Sequence, residues 1–438
     1  MKEKIIEKGI NIKSSLITIL KKGAKVGFFH LLSANILLQI AGFGGQIFLT
    51  RVLSVEDIGR IRVLQSFLSI LLMLATVGMN TTILKLCSED ITQKEKYRIL
   101  KMSIFLSVIV SFGVMGITFI AAVCSVLSND EIINEQMLIY ILQLPFLVLN
   151  SLGMAYLQSQ QKIKTMSNLQ SFTKIFVLIV STVCAFTFGL MGYISGLVIA
   201  TSITSSLLFY LLKDDLKQLL FLKLEKKYFY QILRFSGYTF GTGLLWQVIL
   251  SSGVIIANYI TQDRQQIAYY GNAQLIVNTL MMIPITLNQI MIPYISKKSN
   301  NLQEVKNIAL KYQLRMFLLM VIVGAVSYYL IPIIIPLAFG EAYVGSIPYF
   351  KILLLGLVFW SMYSPKNNIL YSIGKVNYTF YANFITCILN VVFNIVLLNV
   401  YGVIGIAFGS TLTFCVAIAI NHFYYQRALK GSNEKVSM

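Results

Sequence analysis

The chain has 438 residues, of which 57% are hydrophobic and only 12% are charged, and its formal net charge is +19. A water-soluble globule is excluded, because such a composition leaves too little polar surface to hydrate. The positive charge does not indicate a nucleic-acid partner, because Lys and Arg lie in short tracts between long apolar stretches, a pattern typical of membrane orientation.

The first segment, residues 1–25, predicts a basic amphipathic leader. Lysines alternate here with Ile and Leu, and no short apolar run ends in a small-residue cleavage site. This pattern is typical of a helix that lies on an anionic membrane surface rather than of a cleaved signal peptide.

Twelve predicted membrane-spanning helices follow the leader. Long stretches without Asp, Glu, Lys or Arg recur along the chain, and about 20 apolar residues at a rise of about 1.5 Å each cross the hydrocarbon core. The predicted spans are residues 26–50, 61–86, 102–127, 137–158, 165–188, 193–212, 237–260, 268–295, 313–335, 347–371, 376–398 and 403–424. A basic linker, residues 213–235, separates the first six spans from the last six, and a tail, residues 426–438, ends the chain.

The distribution of basic residues predicts the direction of insertion. With the N-terminus in the cytoplasm, most Lys and Arg fall in the leader, the cytoplasmic loops, the linker and the tail, while predicted outer turns hold Asp130, Glu131, Glu135 and Glu341. This arrangement satisfies the positive-inside rule. We therefore expect both termini to be cytoplasmic.

The two halves of the chain resemble each other, which predicts an internal repeat. Gly189, Gly192 and Gly196 match three glycines that lie 213 residues later, at positions 402, 405 and 409. Six spans per half is an even number, so the repeat is parallel, as in transporters whose lobes are related by an axis along the membrane normal. The predicted fold class is an all-α membrane protein with twelve helices in two six-helix lobes, an N-lobe of residues 26–212 and a C-lobe of residues 236–425.

Charged residues inside or next to spans are the candidates for function, because a charge in a bilayer is costly. Lys174 is the strongest candidate, because its helix must begin well before it if the following apolar run is to reach across the membrane. Snorkelling of the Lys174 side chain to the interface is the alternative. The other cationic residues in or beside spans, for which end caps and interface anchors are the alternative, are Arg51, Arg62, Lys351, Lys85 and Arg315.

Acidic residues are absent from the interior of the predicted spans, so fixed charge within the membrane is cationic. This favours an anionic cargo, and phosphate or pyrophosphate is the natural partner of Lys and Arg. The sequence contains no P-loop, HExxH or GxSxG motif, which favours a transporter over an enzyme, and it indicates no cofactor.

The segment from Leu49 to Gly59, LTRVLSVEDIG, followed by Gln65 and Ser66, resembles a run that is typical of Wzx-type O-antigen flippases. These proteins belong to the MOP superfamily, which also contains the MATE transporters. Further positions that fit the family are Gly78, Pro145, Gln158, Pro284, Pro293, Gly192 and Gly405.

The resemblance implies two V-shaped lobes around a cationic cavity, in the cytoplasmic membrane of a bacterium. The implied cargo is an oligosaccharide linked to undecaprenyl pyrophosphate, moved from the inner to the outer leaflet by alternating access, with coupling to H⁺ or Na⁺. Implied partners are membrane lipids, a glycan polymerase and other assembly proteins. By analogy with cationic lumens in the family, the predicted cavity residues are Lys174, Arg51, Arg62, Lys351, Lys85 and Arg315.

Two other functions remain open from the sequence. A MATE-type ion-coupled exporter of small molecules has the same fold, but it predicts a carboxylate within the N-lobe. A membrane glycan-processing enzyme predicts a larger outer loop or a buried acid–His pair.

Overall fold

A computed structural model describes residues 42–220, 222–223, 225–296 and 302–433. The predicted leader, residues 26–41 of the first predicted span and residues 434–438 of the predicted tail lie outside these ranges.

Every regular element in the described ranges is helical. The first half contains α1 (42–52), α2 (Val55–Thr76), α3 (Met79–Leu86), α4 (Gln93–Val123), α5 (Glu131–Tyr140), a 3-10 turn (Ile141–Gln143), α6 (Leu144–Ser159), α7 (Ile163–Leu211) and α8 (Lys213–Leu220). The second half contains α9 (Lys226–Ile260), α10 (Arg264–Ser296), α11 (Leu302–Ala338), a 3-10 turn (Glu341–Tyr343), α12 (Ser346–Ser372), α13 (Val376–Tyr401) and α14 (Ile404–Asn433).

Nine helical segments in the described part of the chain are long and apolar enough to cross a membrane. The protein is therefore a multi-pass membrane protein, as predicted. One of the nine is the 49-residue α7, which covers the predicted fifth and sixth spans. The total of twelve spans stays a prediction, because most of the first predicted span lies outside the described residues and the predicted eighth span, residues 268–295 within α10, is not among the nine.

Several helices extend beyond the predicted spans. The helix α4 begins at Gln93 behind a capping box formed by Thr92 and Glu95, and α9 begins at Lys226, inside the predicted linker. The reason is that the apolar pattern marks only the part of a helix in hydrocarbon, whereas caps and polar helix-forming residues continue it into water.

Residues with positive φ end helices at two points, one between α2 and α3 and one between the two halves of α7. Val77 (φ 48°) and Gly78 (φ 70°) separate α2 from α3. Within α7, Phe188 and Gly189 (φ 61°) leave the helical conformation, so the element is two helices joined by a sharp bend. Glycine suits the second position because it tolerates positive φ without a steric penalty.

Local geometry recurs at the offset that the sequence predicts for the repeat. Gly402, 213 residues after Gly189, also has positive φ (67°). Three residues after each of these glycines a second glycine lies against a carbonyl of the preceding helix. A Cβ on Gly192 would meet Cys184 O, and a Cβ on Gly405 would meet Leu397 O. We call the two bends, with the helices that they join, hairpins. The hairpins are thus locally equivalent, and a repeat over the whole chain remains a prediction.

The two halves pack against each other along α2. We refer to α1–α7 as the N-lobe and to α9–α14 as the C-lobe. The helix α2 contacts α9 and α10 of the C-lobe, while α12 and α13 pack on α14 within it. Large apolar side chains such as Phe112, Ile120 and Ile322 are exposed, which is expected of surfaces that face lipid.

Candidate functional site

A polar cavity of about 530 Å³, here called the interlobe cavity, lies between the two lobes. Its wall is formed by α1, α2 and α7 of the N-lobe and by α9 and α10 of the C-lobe. Gln, Ser, Asn and Thr side chains supply much of the lining, and the charged residues in it are Arg62 and Lys174. The described wall therefore carries two positive charges and no carboxylate.

Arg62 lies on α2 and is only 6% exposed. Its Nη1 donates a hydrogen bond to Gln65 Oε1 at 3.0 Å, and its Nη2 donates across the lobe boundary to Asn272 Oδ1 on α10 at 2.6 Å. Its Nε is buried and meets no hydrogen-bond partner within the described residues. Both acceptors are neutral amides, so neither balances the charge of the guanidinium.

Gly271 provides the space that the Arg62 side chain occupies. A Cβ at position 271 would lie 2.5 Å from Arg62 Cγ, which is closer than side chains can pack. The aliphatic part of Arg62 thus lies directly on the backbone of α10. Any larger residue at position 271 would displace it.

Lys174 projects from α7 into open space and is exposed to it. It lies about 16 Å along the helix from Ile163, so it is far from the end of the helix that is predicted to face the cytoplasm. Its Cε and Nζ lie beside α1, at 3.1 and 3.3 Å from the position of a Cβ on Gly42. Together with its place in the lining of the interlobe cavity, this puts the ammonium group of Lys174 beside α1 at the edge of that cavity.

A second cavity, of about 850 Å³ and here called the N-lobe cavity, adjoins the first. It is lined by α2, α3, α6, α7 and the 3-10 turn between α5 and α6, with Met282 of α10 as the C-lobe contribution. Lys174 lines both cavities, so the two spaces meet at its side chain.

Neutral hydrogen bonds join the lobes along the interlobe cavity. Ser69 Oγ on α2 and Ser251 Oγ on α9 lie 3.0 Å apart, and Gln247 Nε2 donates to both at 2.9 and 3.0 Å. Gln46 Oε1 is buried without a hydrogen-bond partner in the described part of the chain. This wall offers both donors and acceptors to a polar ligand.

The lobes are also joined at the end of the bundle that is predicted to face outside. Asp130 Oδ2 accepts hydrogen bonds from Arg60 Nε at 2.9 Å and from Arg264 Nε at 3.1 Å. Arg264 Nη1 also donates to Asn258 Oδ1, which accepts from Ser128 Oγ at 2.7 Å. We call these five residues the outer latch. It connects the N-lobe, through Arg60, Ser128 and Asp130, to the C-lobe.

The charge state of Asp130 depends on its two arginine partners. Burial of the carboxyl would raise its pKa, but the hydrogen bond from Arg60 and the charges of Arg60 and Arg264 outweigh burial and hold the pKa below its ordinary value. The carboxylate is therefore ionised at neutral pH, and the latch is complete.

Arg51 makes a further contact between the lobes at the same, predicted outer end of the molecule. Its Nε and Nη2 donate to Ala338 O at 3.1 Å and to Leu337 O at 2.7 Å, at the C-terminus of α11. A cation is favourable there because the last carbonyls of a helix lack partners and carry partial negative charge. Arg51 thus joins the lobes and does not line either cavity as described.

Three other predicted cavity residues lie elsewhere. Lys351 Nζ is 4.6 Å from the ring centre of Tyr328, within the C-lobe. Lys85 is exposed near the end of α3, and Arg315 is exposed on α11. None of these three belongs to the described lining of either cavity. The structure therefore brings together Lys174 and Arg62 out of the six candidates.

Among the residues of the site that were not identified from the sequence are Asn272, Asp130 and Arg264. The sequence places Asp130 and Arg264 in different halves and in predicted outer turns, where charged residues are ordinary. Asn272 is one amide among many in the spans. No spacing in the sequence relates these residues to their partners.

Coupling to H⁺ or Na⁺ stays a prediction. In the part of the chain that the structure describes, no group of three or more His, Cys, Asp or Glu side chains is arranged to hold a metal ion.

Sequence comparison identifies the family. The profile of the family described as "Polysaccharide biosynthesis protein" matches residues 25–299, which is more than half of the chain. The chain belongs to this family. A second profile, MatE, matches residues 240–396 of the chain. A search of curated proteins found no match.

Solved structures confirm that the fold is that of the MOP superfamily, as the resemblance predicted. The lipid II flippase MurJ in an inward closed conformation has a TM-score of 0.71 and 16% identity, over 90% of this chain and 87% of that one. An inward-facing multidrug-resistance MATE transporter of the MOP superfamily has a TM-score of 0.75 and 15% identity, over 91% and 95%. A MOP superfamily transporter from Pyrococcus furiosus, described as having a binding pocket of reversed polarity, has a TM-score of 0.60 and 15% identity, over 91% of this chain and 95% of that one.

Proposed function

We propose that this protein is a flippase for an oligosaccharide linked to polyprenyl pyrophosphate, the repeat unit of an O-antigen, a capsule or a similar polysaccharide. It would move this cargo from the cytoplasmic to the outer leaflet of a bacterial cytoplasmic membrane. The observation that carries the proposal is the interlobe cavity, whose described wall holds Arg62 and Lys174 and no Asp or Glu.

The charge of the cavity favours an anionic headgroup. A buried cation without a carboxylate partner is costly, and Arg62 makes its hydrogen bonds to neutral amides. A phosphate group would supply the missing negative charge, and charge-assisted hydrogen bonds to it are about twice as strong as neutral ones. A cationic drug would add like charge to the same cavity.

The two cations lie at different depths, which suits the transfer of a headgroup between leaflets. Lys174 lies about 16 Å along α7 from the predicted cytoplasmic end, and Arg62 lies about 10 Å along α2 from the predicted outer end. The flexible ammonium would meet the headgroup first. The planar guanidinium would then bind two phosphate oxygens in a fixed orientation.

Alternating access supplies the motion. Transport would require the outer latch and the Arg51 contact to break while the lobes rotate about the headgroup. Because the interlobe wall is otherwise held by neutral hydrogen bonds such as Ser69–Ser251, separation of the lobes exposes few unpaired charges there. Coupling to an ion gradient and contact with a glycan polymerase or other assembly proteins belong to the same proposal.

A MATE-type exporter is the second candidate, because the MatE profile matches residues 240–396. It would be expected to use a carboxylate in its cavity. The described walls of both cavities lack one. The charge of the cavity therefore favours the flippase.

A depletion strain separates the two functions. We expect the lipid-linked glycan to accumulate with its sugar facing the cytoplasm, where added glycosidase in inside-out vesicles can reach it. Restoring wild-type protein should clear the glycan, and restoring Arg62→Gln should not. Unchanged glycan in depleted cells, together with greater drug sensitivity, would support the exporter and refute the flippase.

A further inference from the structure

The N-lobe cavity differs in chemistry from the interlobe cavity beside it. Lys174 is the one charged residue in its described lining, and it lies where the two cavities meet. Five side-chain amides face the cavity from α3, the 3-10 turn, α6 and α7: Asn80, Gln143, Asn150, Gln158 and Gln170. Its ligand is therefore expected to be uncharged but rich in hydrogen-bonding groups.

The hydrogen bonds of the wall leave capacity for a ligand. Asn80 Oδ1 accepts from Ser151 Oγ at a long 3.3 Å. Thr173 Oγ1 is buried and has no hydrogen-bond partner among the described residues. The hydroxyl of Thr201 donates to a carbonyl of its own helix, so it offers an acceptor to the cavity. Amides offer donors and acceptors together, which matches groups that themselves both donate and accept.

The remaining wall is apolar, with Leu, Met and Val side chains such as Leu147, Met154 and Val177. An occupant that satisfies this wall has C–H faces as well as hydroxyl groups, which is the chemistry of a sugar ring. A polyprenyl chain would fit the apolar part but would leave the amides without partners, which is unfavourable away from water. The volume of about 850 Å³ lies within the range of about 300–1,000 Å³ that is usual for pockets holding drug-sized ligands.

We infer that the N-lobe cavity is the sugar subsite of the transporter, which holds the uncharged sugar residues attached to the headgroup while Lys174 contacts the headgroup itself. The inference rests on the proposed function. It adds that recognition of the glycan belongs to the N-lobe, and that the amides on α3, α6 and α7 select the cargo.

The test compares the binding of three lipids to purified full-length protein by native mass spectrometry. The lipids are a polyprenol, a polyprenyl pyrophosphate and a polyprenyl pyrophosphate that carries a single neutral hexose or N-acetylhexosamine. We expect wild type to bind the two pyrophosphates more tightly than the polyprenol, and the sugar-bearing lipid about tenfold more tightly than the bare pyrophosphate, as a few neutral hydrogen bonds would give.

The double variant Asn150→Leu, Gln170→Leu should lose the tenfold preference for the sugar and keep the affinity for bare pyrophosphate. Asn399→Leu is the matched control, because Asn399 is an exposed amide on α13 that donates to its own helix at Ile395 O. The control should keep the preference.

Each remaining outcome is decisive. If wild type binds both pyrophosphates equally, or if the double variant weakens both equally, the sugar subsite is wrong and the proposed function stands. If neither pyrophosphate binds better than the polyprenol, the proposed function and the sugar subsite both fall.

Discussion

Arg62 on the N-lobe and Asn272 on the C-lobe are joined by a hydrogen bond of 2.6 Å, from the guanidinium Nη2 to the amide Oδ1. The bond joins a positively charged donor that lines the interlobe cavity to a neutral acceptor on the other lobe. An anionic headgroup that reached Arg62 would compete with this amide and win, because its hydrogen bonds are charge-assisted. Under the proposed function, cargo binding and loosening of the lobes would thereby be linked at one residue.

Asn272→Asp tests this link. The introduced carboxylate would pair with Arg62, so we expect translocation to fall at least tenfold while the melting temperature of the purified protein stays the same or rises. Cargo transfer is measured in reconstituted vesicles and melting by intrinsic fluorescence. Asn272→Ala is the control, which removes the acceptor without adding charge and should retain more transport than Asn272→Asp. Wild-type transport by Asn272→Asp would exclude competition at Arg62.

Lys174→Gln should reduce translocation by about ten- to a hundredfold, because a charge-assisted contact with the headgroup is worth about 1.5–3 kcal/mol. Lys164→Gln is the matched control, because Lys164 is an exposed lysine on the same helix that lines neither of the two cavities as described. Both variants should insert in the membrane and melt like wild type. Equal activity of the two variants would show that Lys174 is only an interface anchor.

Much of the fold follows from the sequence, because hydrophobic length and the distribution of basic residues are one-dimensional properties. The apolar runs predicted the membrane-spanning helices. The matching glycines at positions 189 and 402 both have positive φ. The break at Val77–Gly78 was not expected, because Val disfavours the left-handed conformation. Gly78 beside it lies close to Phe240 of α9, a contact between the lobes that no sequence pattern shows.

The candidate site was less predictable. Depth along a helix singled out Lys174, but depth does not tell which side of a helix faces the other lobe. Lys351 and Arg315 therefore ranked with Arg62 in the sequence, although Arg62 lies in the interlobe cavity and Lys351 lies over the ring of Tyr328. The room for Arg62 was not visible in the sequence either, since it depends on Gly271 of α10, where a larger side chain would meet Arg62.

Gly271→Ala should displace Arg62 and lower both stability and transport. A Cβ at this position would lie 2.5 Å from Arg62 Cγ, and overpacking of this kind costs about 1–3 kcal/mol. Gly113→Ala is the control, because a Cβ on Gly113 of α4 meets nothing within 4 Å, so this variant should be neutral or slightly more stable. Thermal melting and vesicle transport of the two variants provide the measurement. Retention of full activity by Gly271→Ala would mean that the position of Arg62 is not critical.

The outer latch should weaken in acid. The folded-state pKa of Asp130 is lowered by Arg60 and Arg264, so the latch contributes its full stability above the ordinary pKa of a carboxyl and loses it as pH falls through the lowered value.

We expect amide hydrogen exchange in residues 258–264 to rise at acidic pH, after correction for the intrinsic rate. At neutral pH, Asp130→Asn should show the same rise, because an amide supplies no negative charge to Arg264, while Arg60 keeps its ion pair with Asp57 on its own helix. Glu135→Gln, a change at an exposed carboxylate on α5, should leave exchange at its wild-type level. If Asp130→Asn exchanges like wild type at neutral pH, the contact between Asp130 and the two arginines does not hold the lobes together.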